Sequence, residues 1–344
     1  MRAIVIPRHG PPEVFEERDV EPRPLKPQDV RVRVEAAGVN FADLMGRVGL
    51  YPDAPALPYA PGYEVAGVVE EAGASADPAL APGTRVLAVT RFWGYADQAR
   101  VPSHAVVPIP DSASFAQAAA LPVNYLTAYL ALIHVGNAKA GERILVHGGA
   151  GGVGLAALDL ARPIGVEAYA TAGSPEKCRF LEAERGVVKA VNYRAEDYEK
   201  AFAAATRNKG FHLILDPLGP SSFDKGLRLL APLGRLVCYG FSSLVTGRKR
   251  SLWHAATSVL SAHKVNPITL MNKNVGVFGL NLAHLFDEKD LQRQGLSELV
   301  RRFAAGAISP TIAATFPLTA KGAADAHAYL HDRRNVGKVV LVRS

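Results

Sequence analysis

The chain has 344 residues, of which 49% are hydrophobic and 21% are charged. These values are typical of a globular protein with two domains, each large enough for its own core. A formal charge of +7 without a basic stripe interleaved with aromatic residues argues against nucleic-acid binding. The two cysteines, Cys178 and Cys238, lack metal-ligand spacing, so we expect neither a disulfide framework nor a structural zinc lobe.

The first 120 or so residues indicate short strands separated by Pro and Gly. The clearest strands are predicted at 29–35, 64–70 and 85–89. A long Ala/Leu-rich helix is predicted over 116–132. No apolar stretch is expected to reach the roughly 20 residues that span a bilayer, and no signal peptide is predicted, so we expect a cytoplasmic protein.

Strands and helices then alternate, which predicts a doubly wound parallel sheet. The predicted strands are 144–147, 166–171, 190–192, 213–215, 236–239 and 275–280, and the predicted helices between them lie near 155–161, 175–184, 196–204 and 223–230. The segment 244–273 is longer than this alternation needs and is predicted to contain a helix over 253–263. The tail is predicted to form helices at 296–304 and 320–330 and a closing strand at 337–342.

A glycine-rich loop joins the first of these strands to its helix in the order strand, G-x-G-x-x-G, helix. Its six residues are Gly149, Ala150, Gly151, Gly152, Val153 and Gly154. Glycine allows the backbone to approach a pyrophosphate, whose charge then meets the free N–H groups at the helix N-terminus. The loop therefore predicts a dinucleotide site.

The end of the second strand indicates which dinucleotide binds. Sites selective for NAD hold the ribose 2′-hydroxyl with an acid there, whereas this chain has Thr-Ala-Gly-Ser followed by Pro-Glu-Lys. Ser174 and Lys177 can hold a 2′-phosphate, which favours NADPH. In the alternative interpretation, Ser174 caps the next helix and Lys177 is a solvated helix residue, and the two interpretations are compatible.

Several motifs together resemble one family. They are Val39–Met45, Gly49–Tyr51, Leu121–Tyr125, the glycine loop, Asp216–Gly219, Tyr239–Gly240 and Asn335–Lys338. The chain resembles the zinc-independent quinone oxidoreductases of the medium-chain dehydrogenase/reductase superfamily, and most of all their vesicle amine transport protein-like branch. The resemblance implies an α/β fold: a GroES-like β-barrel catalytic domain (1–123 and 282–344) and a Rossmann domain with a doubly wound parallel sheet (124–281), with the active site in the cleft between them.

The resemblance also bears on metal binding. Zinc-dependent relatives carry a Cys and a His as ligands, whereas this chain has Asn40 and Tyr63 at those positions. Neither side chain replaces a thiolate or an imidazole as a tight zinc ligand. We therefore expect no metal, and we expect hydride transfer to an acceptor that is already electron-poor, such as a quinone or an α,β-unsaturated carbonyl.

By resemblance, Asn40 hydrogen-bonds a substrate carbonyl or the nicotinamide ribose, and Tyr51 donates a proton or holds the substrate oxygen. The alternatives are a turn-forming Asn40 and a packed aromatic Tyr51, while Asp43 is expected to make a structural hydrogen bond. Thr127 is expected at the start of a helix over the nicotinamide phosphate, and Tyr193 is expected to reach the 2′-phosphate. The other implied cofactor residues are Asn124, Gly240, Phe241, Ser242, Phe278, Leu280 and Asn335.

Three departures limit this transfer of roles. Pro163 should end or kink the helix after the glycine loop, the segment 244–273 could cover the cleft, and Met45 replaces a Tyr of simpler quinone reductases. The resemblance also implies a homodimer formed through the apolar sixth strand, 275–280.

Two other functions stay open beside NADPH-dependent reduction of quinones or enones. One is a 2-enoyl thioester reductase with Tyr51 as the proton donor. The other is a weakly catalytic NADPH-binding protein with a lipid or partner role, because Arg248–Arg250, Leu252 and Trp253 are basic and amphipathic.

Overall fold

The computed structural model describes residues 1–242 and 266–343. The chain forms two compact units, one with Met1–Leu126 and the described residues from Ala283 onwards, the other with the described residues from Thr127 to Leu282. Most of the 244–273 segment, including its predicted helix and the basic residues 248–250, lies outside the described residues.

The second unit contains a six-stranded sheet whose pairings are all parallel, in the order β10-β9-β8-β11-β12-β13. Its strands are β8 (Arg143–Val146), β9 (Glu167–Ala172), β10 (Lys189–Asn192), β11 (Phe211–Asp216), β12 (Leu230–Cys238) and β13 (Gly276–Gly279). Its helices are α4 (Gly152–Ala161), α5 (Pro175–Arg185), α6 (Tyr198–Ala205), α7 (Pro220–Leu229) and α8 (Pro267–Lys273). The strand order reverses between β8 and β11, and ligands of such sheets bind outside the carboxyl ends of the strands at this switch point.

The first unit contains a mainly antiparallel sheet in the order β14-β15-β3-β4-β5-β7, with β6 also paired to β3. The strands of this sheet are β3 (Asp29–Val39), β4 (Glu64–Ala72), β5 (Arg85–Val89), β6 (Gln98–Pro102), β7 (Val106–Pro108), β14 (Ile312–Pro317) and β15 (Lys338–Val342). Two further strands, β1 (Arg2–Val5) and β2 (Glu16–Asp19), pair with each other in a separate antiparallel sheet. The helices of the first unit are α1 (Phe41–Arg47), α2 (Phe115–Ala118), α9 (Lys289–Ala304) and α10 (Ala320–His331). Helix α3 (Pro122–Tyr129) begins in this unit, and a π-helical turn (Leu130–His134) follows it.

One edge of the long strand β3 pairs with two different strands of the first unit. Its first half, from Asp29 to Arg33, pairs with β6, and its last residues, Ala36 to Val39, pair with β15. In this register Val339 lies opposite Val39. The start of β15, near the end of the chain, is therefore placed beside Asn40.

The βα alternation predicted for the second unit is confirmed, as is the early end of α4, where Pro163 lies in a 3-10 turn. The single helix predicted over 116–132 is wrong: α2 and α3 are separate, and α3 begins at Pro122. Helix α9 begins seven residues before the predicted start at Leu296, and α1, α8 and β14 were not predicted.

The expectation that no apolar stretch is long enough to span a bilayer needs correction. The segment Phe115–His134 has 20 residues and passes a test of length and hydropathy, although 72% of its window is buried inside the protein. Core helices of water-soluble proteins pass the same test, so this finding is weak evidence for a membrane span.

Candidate functional site

The glycine loop follows β8 and leads into α4, as predicted. The tight turn is made one residue earlier than the motif suggests, because Gly148 has a φ of +64°, a backbone conformation that favours glycine. A Cβ atom added at Gly154 would lie 2.5 Å from the Gly148 carbonyl oxygen and 2.7 Å from the Gly149 Cα. Gly154 therefore lets the first turn of α4 pack against the loop, with its N–H groups available to an anion.

A buried pair of side chains supports this loop from below. The Thr171 hydroxyl lies 3.1 Å from Nδ1 of His147 and accepts a hydrogen bond from the Gly148 N–H, also at 3.1 Å. The Gly149 N–H donates to the Thr171 carbonyl at 2.9 Å. Strand β9 thus holds the backbone of the glycine loop at the end of β8.

A second polar group lies at the carboxyl ends of β9 and β10. Ser174 is the N-cap of α5, since its hydroxyl accepts a hydrogen bond from the Lys177 N–H at 3.4 Å. A Cβ atom added at Gly173 would lie 2.9 Å from the Tyr193 hydroxyl and 3.5 Å from Nε of Arg194. The structure therefore brings Tyr193 to the Gly173–Ser174 turn, as the 2′-phosphate assignment requires.

Arg194 is a candidate residue that the sequence reasoning missed. It follows Tyr193 directly in the sequence, and the sequence around it predicts only an exposed positive charge. Only the approach of β10 to the turn after β9 places its guanidinium beside Gly173. Arginine matches phosphate geometry better than lysine does.

The predicted residues at the ends of β12 and β13 lie in different environments. The Ser242 N–H donates to the Pro217 carbonyl at 2.9 Å, and Gly240 packs so closely on the same carbonyl that an added Cβ would lie 2.9 Å from it. Phe241 is exposed beside this loop. Leu280 is buried, whereas Phe278 is 46% exposed.

In the first unit, Asn40 belongs to a buried polar triad that we define as Asn40, Glu64 and Lys338. Nδ2 of Asn40 donates to Oε1 of Glu64 at 2.8 Å, and the Lys338 ammonium donates to Oδ1 of Asn40 at 2.6 Å. Lys338 also forms an ion pair with Glu64, and both side chains are almost fully buried. Sequence reasoning missed Glu64 and Lys338 as partners of Asn40, because no local pattern connects segments so far apart.

Asp43 makes the structural hydrogen bonds that were expected of it. Its carboxylate accepts the N–H groups of Asn40 at 2.8 Å and of Gly62 at 2.9 Å, and the Tyr95 hydroxyl lies 3.4 Å away. Complete burial raises the pKa of Asp43 to about 7, although these N–H donors and the Lys338 ammonium oppose the shift. Asp43 thus fixes the backbone on which Asn40 stands.

Tyr51 lies in an aromatic group. Its ring packs edge-on against Tyr63 with 6.0 Å between centroids, and Tyr63 contacts Phe92 and Phe286 at 5.0 and 6.4 Å. Burial raises the pKa of Tyr51, so its hydroxyl keeps its proton at neutral pH. This arrangement is compatible with both interpretations of Tyr51, a packed aromatic and a hydrogen-bond donor.

The other predicted cofactor residues of this region are buried. Asn124 lies in the first turn of α3, and Nδ2 of Asn335 donates to the Gly337 carbonyl at 2.9 Å. The expected place of Thr127 is wrong: it lies near the end of α3 rather than at its start, because the helix begins at Pro122. Proline favours the first position of a helix, where its missing N–H costs nothing.

Within residues 1–242 and 266–343, no group of three or more His, Cys, Asp or Glu side chains could hold a metal ion. At the positions of the zinc ligands in dehydrogenases, Asn40 is hydrogen-bonded to an ammonium and Tyr63 is packed among aromatics. The Asn40 amide oxygen, the one atom of this side chain that could ligate a cation, already accepts a hydrogen bond from the Lys338 ammonium.

Comparisons with known proteins agree with this architecture. The family described as "Alcohol dehydrogenase GroES-like domain" matches residues 26–111, and the family described as "Zinc-binding dehydrogenase" matches residues 185–341. The chain is 38% identical to the rat protein named synaptic vesicle membrane protein VAT-1 homolog over 95% of this chain and 80% of that protein. It is 33% identical to human quinone oxidoreductase over 99% and 98% of the two chains. The structure of Escherichia coli quinone oxidoreductase complexed with NADPH matches with a TM-score of 0.86 and 28% identity over 99% of this chain and 100% of that chain.

A GroES-like unit joined to a Rossmann-type parallel sheet defines the medium-chain dehydrogenase/reductase fold. The predicted α/β fold class is therefore confirmed. At these identities and coverages, the chain belongs to the quinone oxidoreductase-like family of medium-chain dehydrogenases/reductases, a family of oxidoreductases that also includes the VAT-1 homologues.

Proposed function

We propose that the protein is an NADPH-dependent oxidoreductase that reduces quinones or α,β-unsaturated carbonyls without zinc. The observation that carries the choice of cofactor is the group at the ends of β9 and β10. There Tyr193 and Arg194 bring a hydroxyl and a guanidinium to the turn that Ser174 caps, and Lys177 lies in the first turn of the helix that follows. The one acid of this turn, Glu176, hydrogen-bonds the Ser174 side chain and lies two residues past Ser174, not at the strand end where an NAD site holds its acid. A relative of known structure, the E. coli quinone oxidoreductase, was solved with NADPH.

The chain's own residues mainly bind and orient. The first-turn N–H groups of α4 meet the pyrophosphate, and the Lys177 and Arg194 side chains hold the 2′-phosphate. When bound, the nicotinamide supplies a hydride, which with one proton from solvent or a side chain converts a quinone to a hydroquinone. Tyr51 keeps its hydroxyl proton at neutral pH and so can donate a hydrogen bond to the acceptor oxygen.

The absence of zinc is part of this proposal and follows from the chemistry of two positions. Asn40 and Tyr63 are poor zinc ligands, and the Asn40 amide is already bonded to Lys338 and Glu64. Without a Lewis acid, the acceptor must be activated by its own electron-poor π-system. Quinones and enones meet this condition, whereas simple alcohols and ketones do not.

We also propose that the protein is cytoplasmic and forms a homodimer. The lipid-binding alternative rests on residues 248–253, which lie outside the described residues, and no observation on the described ones favours it. The enoyl thioester alternative depends on Tyr51 as a proton donor. Its half-buried hydroxyl is protonated at neutral pH, but the raised pKa makes it a weaker acid.

The test measures the dissociation constants of NADPH and NADH for the wild type, Lys177→Ala and Arg194→Ala. We expect tighter binding of NADPH by the wild type. Each substitution should weaken NADPH binding about 10- to 100-fold, because a charge-assisted hydrogen bond is worth about 1.5–3 kcal/mol, and should leave the affinity for NADH unchanged. The matched control is Arg179→Ala, which removes an exposed charge from α5, the helix that carries Lys177. Equal affinities of the wild type for the two cofactors would contradict the assignment.

The acceptor is tested in the same preparations by following NADPH oxidation with a quinone, an enone and a 2-enoyl thioester. We expect turnover with quinones or enones. Turnover confined to the thioester and lost in Tyr51→Phe would replace this proposal with the thioester reductase.

A further inference from the structure

We propose that His147 is a positioning residue for the pyrophosphate of the cofactor. Through the Thr171 hydroxyl it fixes the turn at Gly148, from which the glycine loop presents its N–H groups to that ligand. This role rests on the proposed binding of a dinucleotide and goes beyond it by assigning work to His147 and Thr171. All three residues lie in the second unit, so the role concerns that unit alone.

The imidazole of His147 is a costly group to bury at this place. His147 directly follows β8 and is fully buried, and the Tyr198 ring packs edge-to-face against it with 5.1 Å between centroids. Across residues 1–242 and 266–343, Nε2 of the ring has no hydrogen-bond partner. A buried polar atom without a partner costs free energy that an apolar side chain would avoid. What the imidazole offers in return is the hydrogen bond at its other nitrogen, Nδ1.

The direction of the hydrogen bonds follows from the protons available. The Gly148 N–H can only donate, so Oγ1 of Thr171 is its acceptor at 3.1 Å. The Thr171 hydroxyl has one proton of its own to donate, and Nδ1 of His147 lies 3.1 Å away. Burial lowers the pKa of His147, although the Asp216 carboxylate opposes the shift, so the ring is neutral at neutral pH.

A neutral imidazole carries its proton on one of its two nitrogens. With the proton on Nε2, Nδ1 accepts the Thr171 hydroxyl, and only the Nε2–H group stays without a partner. With the proton on Nδ1, both the Thr171 hydroxyl proton and the lone pair of Nε2 would lack a partner in the described part of the chain. The Nε2–H form is therefore favoured, and the hydrogen bonds run from Gly148 to Thr171 to His147.

This direction strengthens the bond that holds the loop. A hydroxyl that donates a hydrogen bond becomes a better acceptor, because hydrogen bonds in a chain polarise one another. The Thr171 hydroxyl thus accepts the Gly148 N–H more strongly while it donates to His147. An apolar side chain at position 147 would leave the hydroxyl without this acceptor.

The Gly148 peptide determines where the first turn of α4 lies. The Gly148 carbonyl accepts the Gly151 N–H at 2.8 Å, and an added Cβ atom at Gly154 would lie 2.5 Å from the same oxygen. Gly148 is therefore held on both sides, through its N–H by Thr171 and through its carbonyl by the loop and helix. The N–H groups of this first turn meet the pyrophosphate, so their placement depends on the bond to Thr171.

The experiment measures the dissociation constants of NADPH, NADH and adenosine 2′-monophosphate. Both dinucleotides carry the pyrophosphate, whereas the monophosphate lacks it. We expect His147→Leu and Thr171→Val each to weaken NADPH and NADH binding about 3- to 10-fold, the value of one hydrogen bond. Neither substitution should change the affinity for the monophosphate. The double variant should lose no more than one of the single variants, because the two side chains act in one chain of hydrogen bonds.

Three variants separate positioning from general stabilisation. Thr171→Ser keeps the hydroxyl and His147→Asn keeps a hydrogen-bond acceptor, so both should bind NADPH with about the wild-type affinity. The matched control is Thr206→Val, which removes another buried hydroxyl of the same unit. That hydroxyl donates to the Phe202 carbonyl at 2.8 Å, and its loss should lower stability without changing cofactor affinity.

A measurement on the wild type tests the direction of the hydrogen bonds without any substitution. The chemical shifts of the two imidazole nitrogens, assigned by NMR through the backbone, report which of them carries the proton. We expect the neutral Nε2–H form of His147 at neutral pH. A proton on Nδ1 would overturn the proposal, whether or not the variants fold.

The binding results separate this role from the proposed function. NADPH affinity that is unchanged in both His147→Leu and Thr171→Val would overturn the role alone, as would an equal loss in Thr206→Val or for the monophosphate. A wild type that binds neither dinucleotide would refute the proposed function and this role together. Equal wild-type affinities for NADPH and NADH would refute only the choice of NADPH, because both ligands carry the pyrophosphate on which the role depends.

Discussion

His327 is fully buried, and its two ring nitrogens have different partners. Nε of Arg47 donates to Nδ1 at 3.3 Å, so the ring proton lies on Nε2, which is 3.2 Å from the Tyr95 hydroxyl. Tyr95 in turn lies 3.4 Å from the Asp43 carboxylate. The side chains of Asp43, Arg47, Tyr95 and His327 thus connect α1 with α10. The neutral imidazole of His327 is hydrogen-bonded to both Arg47 and Tyr95.

The state of His327 predicts how stability depends on pH. Burial, with the Arg47 charge as a second cause, places the pKa of His327 well below its usual value of 6.5. Below pH 6.5 the imidazole is therefore protonated in the unfolded chain and neutral in the folded protein. The free energy of unfolding should therefore fall as the pH drops below 6.5, by up to about 1.4 kcal/mol per pH unit. Urea unfolding between pH 5 and 7 measures this slope.

His327→Gln should reduce the slope, whereas the exposed His134→Gln should leave it unchanged. Asp43 acts in the opposite direction over an overlapping range. Its folded pKa of about 7 lies above its unfolded value of 3.8, so its contribution is lost as the pH rises from about 4 to 7. A slope that is the same in wild type and His327→Gln would contradict the assignment.

Single residues also show the limit of what could be predicted from the sequence. The structural role of Asp43 was predictable because its partner, the Asn40 N–H, lies three residues away on the same helix turn. The Lys338 contact was not, because it depends on the register of β15 on β3, which is set by the whole sheet. Arg194 was missed for the same reason, since two strands must first pair.

At the scale of elements, strongly periodic segments were predicted well and broken ones poorly. Helix α5 follows its predicted bounds within one residue, with Ser174 as its cap and Gly186 ending it in a left-handed conformation. The Ala/Leu-rich run from 116 to 132 indicated one helix, but Leu121-Pro122 divides it. The carboxylate that caps the second piece comes from Glu64, far away in the sequence.

The packing of α4 against the glycine loop gives the prediction at this scale. Gly154→Ala would place a Cβ within 2.7 Å of three backbone atoms, which cannot move aside as a flexible side chain can. We expect a loss of about 1–3 kcal/mol in stability. Binding of NADPH should also weaken, because the first turn of α4 shifts.

Thermal unfolding and NADPH titration measure the two effects. The control is Gly276→Ala, where the added Cβ meets only the Arg235 Cβ at 3.8 Å, an ordinary contact. If Gly154→Ala unfolds at the wild-type temperature and binds NADPH with the wild-type affinity, the loop can accommodate a Cβ atom and the prediction is wrong.

At the scale of the whole molecule, strand β13 is the clearest candidate for self-association. Among the described strands it pairs only with β12, so its outer edge has no sheet partner there. Phe278 on this strand is 46% exposed, and Met271 on the preceding helix is 74% exposed. An unpaired apolar edge of this kind invites pairing with a second copy.

Phe278→Glu should therefore convert a dimer into a monomer, measured by light scattering on a sizing column. Val188→Glu, which charges another exposed apolar position, is the matched control and should stay dimeric. A monomeric wild type, or a Phe278→Glu variant that remains dimeric, would contradict an interface at this edge.

The triad described above has a consequence for the order in which the protein is made. Asn40 meets its ammonium 298 residues later in the chain. A nascent chain or proteolytic fragment that ends before β15 contains the whole glycine loop yet holds Asn40 beside an unneutralised Glu64. The backbone of the glycine loop can thus form long before the last strand of the first unit supplies the ammonium that neutralises Glu64.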